Sequence, residues 1–218
     1  MFIELVQALR CPRPHELSWL VAASSEMRDR DIVRGVLGCP VCHAEYPIDD
    51  GIVDFRDSAA AAPPRRSTRS GAALEEEPLR LAALLGLASP GGFVTLTGGW
   101  AVYANALGRL AERVHVLVMD PGEEVRSGGG ISIAIAGGHL PLHPGAARGI
   151  ALDESHVSPG LLAAAADALR AHGRLVAPAT ALVPVGMREL ARDARHWVAE
   201  KEVAPGPLLS LSLGRAEA

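Results

Sequence analysis

Cys39 and Cys42 flank Pro40-Val41, a Cys-x-x-Cys spacing at which one tight turn aims two thiolates at a single cation. A tetrahedral zinc ion needs two further ligands from a second turn. Cys11 and His15 supply them at Cys-x-x-x-His spacing. Thiols in this arrangement suit a reducing compartment and a metal or structural role better than a disulfide framework. Metal binding would add folding energy to a part of the chain that has little core. The competing reading is a ribbon of strands that stands on its own small core without metal. His43 directly follows Cys42 and reads as a turn residue.

A second group lies where α/β folds bind nucleotides. Thr97-Gly98-Gly99 follows the apolar run 93–96, and Asp120 closes the apolar run 114–119, 21 residues after Gly99. A glycine turn lets backbone approach a ligand, and a carboxylate ~20 residues further on accepts from ribose hydroxyls. Thr97, Gly98, Gly99 and Asp120 are therefore the candidate cofactor residues. Asp120 also reads as a turn acid ahead of Pro121-Gly122. Asp153-Glu154-Ser155-His156 follows another predicted strand at the same rim, where a carboxylate and an imidazole could act as base or metal ligands. The alternative is a polar loop leading into the next helix. His139 and His143 share no helix face, so they are not read as a metal pair. Gly128-Gly129-Gly130 precedes a strand, which makes it a turn and not a phosphate loop. No residue is singled out as catalytic.

The elements that must position these groups fall into two parts. In the first, residues 1–56, a short helix or turn spans 2–9, and two β-like stretches (17–22 and 32–37) are separated by a charged turn at 26–31. Asp50-Gly51 marks a hairpin turn between short apolar runs. Residues 57–73 lack apolar periodicity and read as a linker. In the second part, 74–218, helices are predicted over 75–87, 101–112, 161–171 (closed by Gly173) and 187–194. Strands are predicted over 93–96, 114–119, 131–136, 149–152 and 174–177, and the runs 196–199 and 208–213 could pair at the sheet edge. Strands alternating with helices imply an α/β fold of Rossmann type, a mostly parallel sheet with helices on both faces.

Two resemblances attach to these residues. Leu9-Arg10-Cys11-Pro12, Cys39-Pro40-Val41-Cys42 and Tyr46-Pro47-Ile48-Asp49-Asp50-Gly51-Ile52 resemble the small zinc-ribbon family of methyltransferase activator subunits. That resemblance implies a zinc-ribbon-like module that binds and stabilises a methyltransferase. In place of the family's second cysteine stands Pro14, with His15 one residue later. The second part resembles class I S-adenosylmethionine-dependent methyltransferases, through Val94-Thr95-Leu96-Thr97-Gly98-Gly99, Asp120, Leu140-Pro141-Leu142 and Gly173-Arg174-Leu175-Val176. The resemblance implies a methyltransferase fold and S-adenosylmethionine as cofactor. The departures fall on the cofactor site. Thr95 stands where an acid is usual, the Gly-x-Gly-x-Gly run is reduced, and Trp100 crowds the turn.

Composition limits the alternatives. A formal charge of −4, without a basic and aromatic stripe, argues against a zinc-dependent nucleic-acid module. No apolar run approaches the ~20 residues of a membrane span, and the start lacks a secretion signal, so cytoplasm is the expected compartment. The leading expectation is a degenerate, non-catalytic methyltransferase-like protein that binds a protein partner. The alternative is an active methyltransferase with an atypical cofactor site.

Overall fold

The computed structural model describes residues 1–56, 76–121 and 125–202. The linker (57–73) and the run 208–213 lie outside them. The described strands form one mixed 11-stranded sheet in the order β1-β2-β3-β4-β7-β6-β5-β8-β9-β11-β10. β5 (Phe93–Thr97), β6 (His115–Met119), β7 (Ile131–Ile135), β8 (Ala147–Ala151) and β9 (Leu169–Pro178) are its parallel centre. The chain order reverses at β5, with β6 on one side and β8 on the other. This is the switch point at which doubly wound sheets carry their ligands.

The two parts of the chain share this sheet. β1 (Val21–Arg28), β2 (Asp31–Gly38), β3 (Glu45–Asp49) and β4 (Ile52–Asp54) form an antiparallel meander, and β4 then pairs in parallel with β7. Asp50 (φ 47°) and Gly51 (φ 73°) close the β3–β4 hairpin in two residues, as Asp-Gly favours. The expected strand at 17–22 is displaced: β1 begins at Val21 and runs to Arg28, and the chain turns at residues 29–30 (Asp29 φ 54°), within the charged turn expected at 26–31.

Both faces of the sheet are apolar because successive side chains alternate. Val94, Leu96, Val116, Val118, Ile131 and Ile133 point to one face, under α1 (Glu76–Leu84) and α2 (Ala104–Leu110). Leu117, Met119, Ala134, Ile150, Leu175 and Ala177 point to the other, under α3 (Pro159–Ala168) and the N-terminal part. There the 3-10 helix Ile3–Ala8 buries Leu5 and Ala8 in the core. Phe2 O accepts from Leu5 N–H (3.1 Å) at the start of this helix, while Phe2 N–H donates to Ser132 Oγ (2.9 Å) on β7 and its ring stacks on His115 at 3.7 Å.

Four expectations need correction. The segment expected as a helix at 187–194 is a strand, β10 (Met187–Arg192), paired antiparallel to β11 (His196–Lys201). Helix-forming residues at an exposed sheet edge gain more from the ladder than their propensity costs. β11 accordingly lies inside the sheet between β9 and β10, not at its edge. α3 stops at Ala168, and Gly173 lies within β9. There a Cβ would meet Arg170 O at 2.8 Å, so close backbone approach explains the glycine. α2 begins at Ala104, after a 3-10 helix over Gly98–Tyr103.

Candidate functional site

The turn after Cys39 is built by its own backbone. Cys39 N–H donates to Ala44 O (2.9 Å), His43 N–H donates to Cys39 O (2.9 Å), and His43 takes φ 55°. This brings Cys39 and Cys42 to Cys11 and His15, and the four ligand atoms lie within 4.8 Å of one another. Cys11 Sγ is 3.6 Å from Cys42 Sγ, and Cys39 Sγ is 3.4 Å from His15 Nε2. A zinc tetrahedron with Zn–S near ~2.3 Å and Zn–N near ~2.0 Å has edges of about 3.5–3.7 Å, so the set fits.

The tautomer of His15 fits as well. Nδ1 lies 2.6 Å from Glu16 O, which can only accept, so Nδ1 carries the proton and the Nε2 lone pair faces the thiols. Tyr46 Oη lies 3.0 Å from Cys11 Sγ and can donate to its thiolate. The backbone hydrogen bond from Ala44 is the largest influence on the half-buried Cys42 thiol, which is pulled down to about 7. Burial pushes the Cys11 thiol up, against the hydrogen bonds from Tyr46 and the Arg13 backbone, and a bound cation would oppose it further. All four sequence candidates thus meet in one cluster that could hold a metal ion. Tyr46 was missed, because a tyrosine in a strand gives no local sign of a thiol partner.

The second candidate site sits at the switch point. Thr97, Gly98 and Gly99 follow β5, and Asp120 follows β6, each at the carboxyl end of its strand. The space between them is occupied by the chain's own loop 153–156, which follows β8. Gly99 N–H donates to Asp153 Oδ2 at 2.7 Å, and Asp153 N–H donates to Thr97 Oγ1 at 3.2 Å. Gly98 takes φ 48°, and a Cβ built there would stand 2.1 Å from Asp153 Oδ2. The glycine turn therefore cradles a carboxylate from this protein. Trp100, expected to crowd the turn, is 1% exposed and donates its indole N–H to Leu152 O (3.1 Å), fixing the entry to the same loop.

Asp120 is equally engaged. Its Oδ1 accepts from Ala136 N–H (2.8 Å) and Gly137 N–H (3.2 Å), and its Oδ2 from Gly138 N–H (3.4 Å). His156 bridges the two acids, with Nδ1 2.7 Å from Asp153 Oδ1 and Nε2 3.7 Å from Asp120 Oδ2. Ser155 Oγ donates to Asp153 Oδ1 at 2.8 Å. The imidazole is 8% exposed. Burial alone would lower its pKa, but the hydrogen bonds and charges of Asp120 and Asp153 push it up to about 9. Burial likewise opposes ionisation of both carboxylates, yet their hydrogen bonds to His156 and the backbone hold them below the ordinary value.

The residues at this turn do not fit an adenosyl cofactor in the described conformation. The amide of Gly99 and the carboxylate of Asp120 already have partners within the chain, and Asp153 stands over Gly98. Gly98→Ala should test this packing. The added methyl must displace Asp153, at a positive φ that costs roughly 1–2 kcal/mol by itself. A fall in Tm of at least several degrees is expected, and an unchanged melt would refute the close packing.

Of the other candidates, His143 stacks on Trp19 (3.9 Å) in the contact between the N-terminal part and the β7–β8 connection. Residues 128–130 turn into β7 as expected.

No family model and no curated protein matches the sequence. Among solved structures, the antibiotic-resistance methyltransferase Kmr is similar at TM-score 0.41 and 15% identity, over 64% of this chain and 98% of that one. An S-adenosyl-L-methionine methyl transferase from Silicibacter pomeroyi DSS-3 gives 0.43 and 14%, over 58% and 94%. A geranyl diphosphate methyltransferase in complex with SAM gives 0.37 and 14%, over 47% and 48%.

Proposed function

We propose that this chain is a methyltransferase-like protein whose cofactor cleft is closed by its own loop 153–156, and that it acts by binding a protein partner and not by catalysis. The observation that carries the reading is the Asp153 carboxylate, which accepts from Gly99 N–H and fills the space over Gly98. On this reading zinc, held by Cys11, His15, Cys39 and Cys42, secures the N-terminal meander, and cysteines held outside any disulfide suit the cytoplasm. The partner adds a strand to β1. That edge strand is exposed at Val21 (62%) and at residues 23–28, and the exposed Trp19 (58%) lies just before it.

Calorimetric titration with S-adenosylmethionine and S-adenosylhomocysteine tests it. No binding is expected at millimolar ligand by protein shown to be folded. Micromolar binding that Asp120→Asn abolishes would overturn the proposal. It would favour the rival reading of an active methyltransferase, in which Asp120 holds the ribose and loop 153–156 swings aside. That rival draws on Asp120 itself, which stands at the end of β6 where a ribose ligand belongs.

A further inference from the structure

Between β9 and β10 the chain crosses in eight residues, 179–186, that contain no helix. Among the described residues this segment borders the sheet face beside α3, and a groove of about 770 Å³ opens between the two. Leu162 and Ala166 of α3 form one wall, and Leu182, Val183 and Val185 form the other. Leu182 and Val185 are 84% and 102% exposed, so large apolar side chains stand at the rim with nothing described over them. At one end, Lys201 Nζ donates to Asp167 O (2.9 Å) and Leu169 O (2.7 Å), tying the end of β11 to the end of α3. Glu202, whose N–H donates to Gly186 O (3.0 Å), lines the groove at that end.

We infer that this groove is the docking site for the chain's own C-terminal segment, 203–218. Three features select that occupant. The segment leaves from Glu202, at the rim of the groove, so docking closes only a short loop. Its sequence Leu209-Ser210-Leu211-Ser212-Leu213 alternates, and an extended chain would present three leucines on one side and two serines on the other. Its reach also suffices. α3, at ten residues, is about 15 Å long, and the six residues from Glu202 to Leu208 span up to ~20 Å. The leucines can therefore lie against Leu162, Leu182 and Val185. The inference stands whether or not the cleft at Asp120 binds cofactor.

Amide hydrogen exchange on the 218-residue chain tests it, beside a chain ended after Glu202 and a full-length Leu209→Ser/Leu211→Ser/Leu213→Ser variant. Both changes should raise exchange in α3 and in 179–186 by roughly tenfold or more, and increase the fluorescence of an apolar dye. The triple variant keeps the chain length, so it decides the matter if the shortened chain folds poorly. Unchanged exchange in α3 and 179–186 would overturn the inference. So would protection lost from β10 instead, which would mean pairing at the sheet edge. Protection that depends on protein concentration would overturn it too, since the occupant would then be a second copy.

Discussion

Cys39→Ser should, on the zinc reading proposed above, remove one equivalent of zinc per chain and lower Tm by roughly 10–20 °C, corresponding to a loss of about 5 kcal/mol in a chain of this size. The magnitude follows from what the cluster ties together. Cys11 reaches Cys42 at 3.6 Å, and His15 reaches Cys39 at 3.4 Å, so the ligands close the chain between its first turn and the β2–β3 turn. The neighbouring residues carry the effect into the rest of the sheet. Arg10 N–H donates to Pro141 O (3.0 Å), Leu9 bridges to Leu142, and Trp19 stacks on His143. Plasma emission on the purified protein, with thermal melts before and after a chelator, reads both quantities. Wild-type protein without zinc, whose melt a chelator leaves unmoved, would reject the metal site and leave a ribbon held by its core.

A milder variant separates the metal from its surroundings. Tyr46→Phe removes only the hydroxyl beside Cys11 Sγ and leaves a ring that packs on Phe55 at 4.9 Å. Zinc should be retained with 10–100-fold weaker affinity, the usual cost of losing an outer-shell partner. Competition with a colorimetric chelator measures this, and unaltered affinity would mean that the hydroxyl contributes only packing.

What could be read in the sequence and what could not divide along the range of the interactions. The cysteine cluster was legible because each pair is close in sequence and a turn suffices to aim it, even with His15 displaced by one residue. The glycine turn and Asp120 were legible because strand periodicity places both at strand ends. β10 was misread because Met187-Arg188-Glu189-Leu190 has helical propensity, and only its partner β11 makes it a strand. The joining of β4 to β7 could not be read, since Ile52–Asp54 and Ile131–Ile135 are both short apolar runs without a mark of who pairs with whom. The closed cleft is the sharpest case. Asp153 and His156 were visible as a polar group at the rim, but Asp153 meets Gly99 across 54 residues of sequence, and only the fold turns that group inward.

His156 should be the most costly single side chain of that closed cleft. Removing it leaves Asp120 (9% exposed side chain) and Asp153 (16%) as buried carboxylates without their shared cation, and His156→Ala is expected to cost about 3–5 kcal/mol. The pH dependence has a definite sign. The folded pKa is about 9 and the ordinary value 6.5, so the contribution of His156 is complete below pH 6.5 and is lost as pH rises through about 9. The size of that loss is about 3 kcal/mol, from ~1.4 kcal/mol per pKa unit. The two carboxylates act in the opposite direction. Held below their ordinary 3.8, they contribute above about pH 4, and that contribution fades as pH falls. Stability should therefore be highest between about pH 4 and 6.5. Cys42, pulled down to about 7, also titrates across this range, so wild type must be compared with His156→Gln, which keeps the size and removes the charge. Urea unfolding from pH 6 to 9.5 should show a steeper fall in the wild type than in the glutamine variant. Equal slopes would mean that His156 is neutral in the folded protein, and that hydrogen bonds alone hold loop 153–156 over the glycine turn.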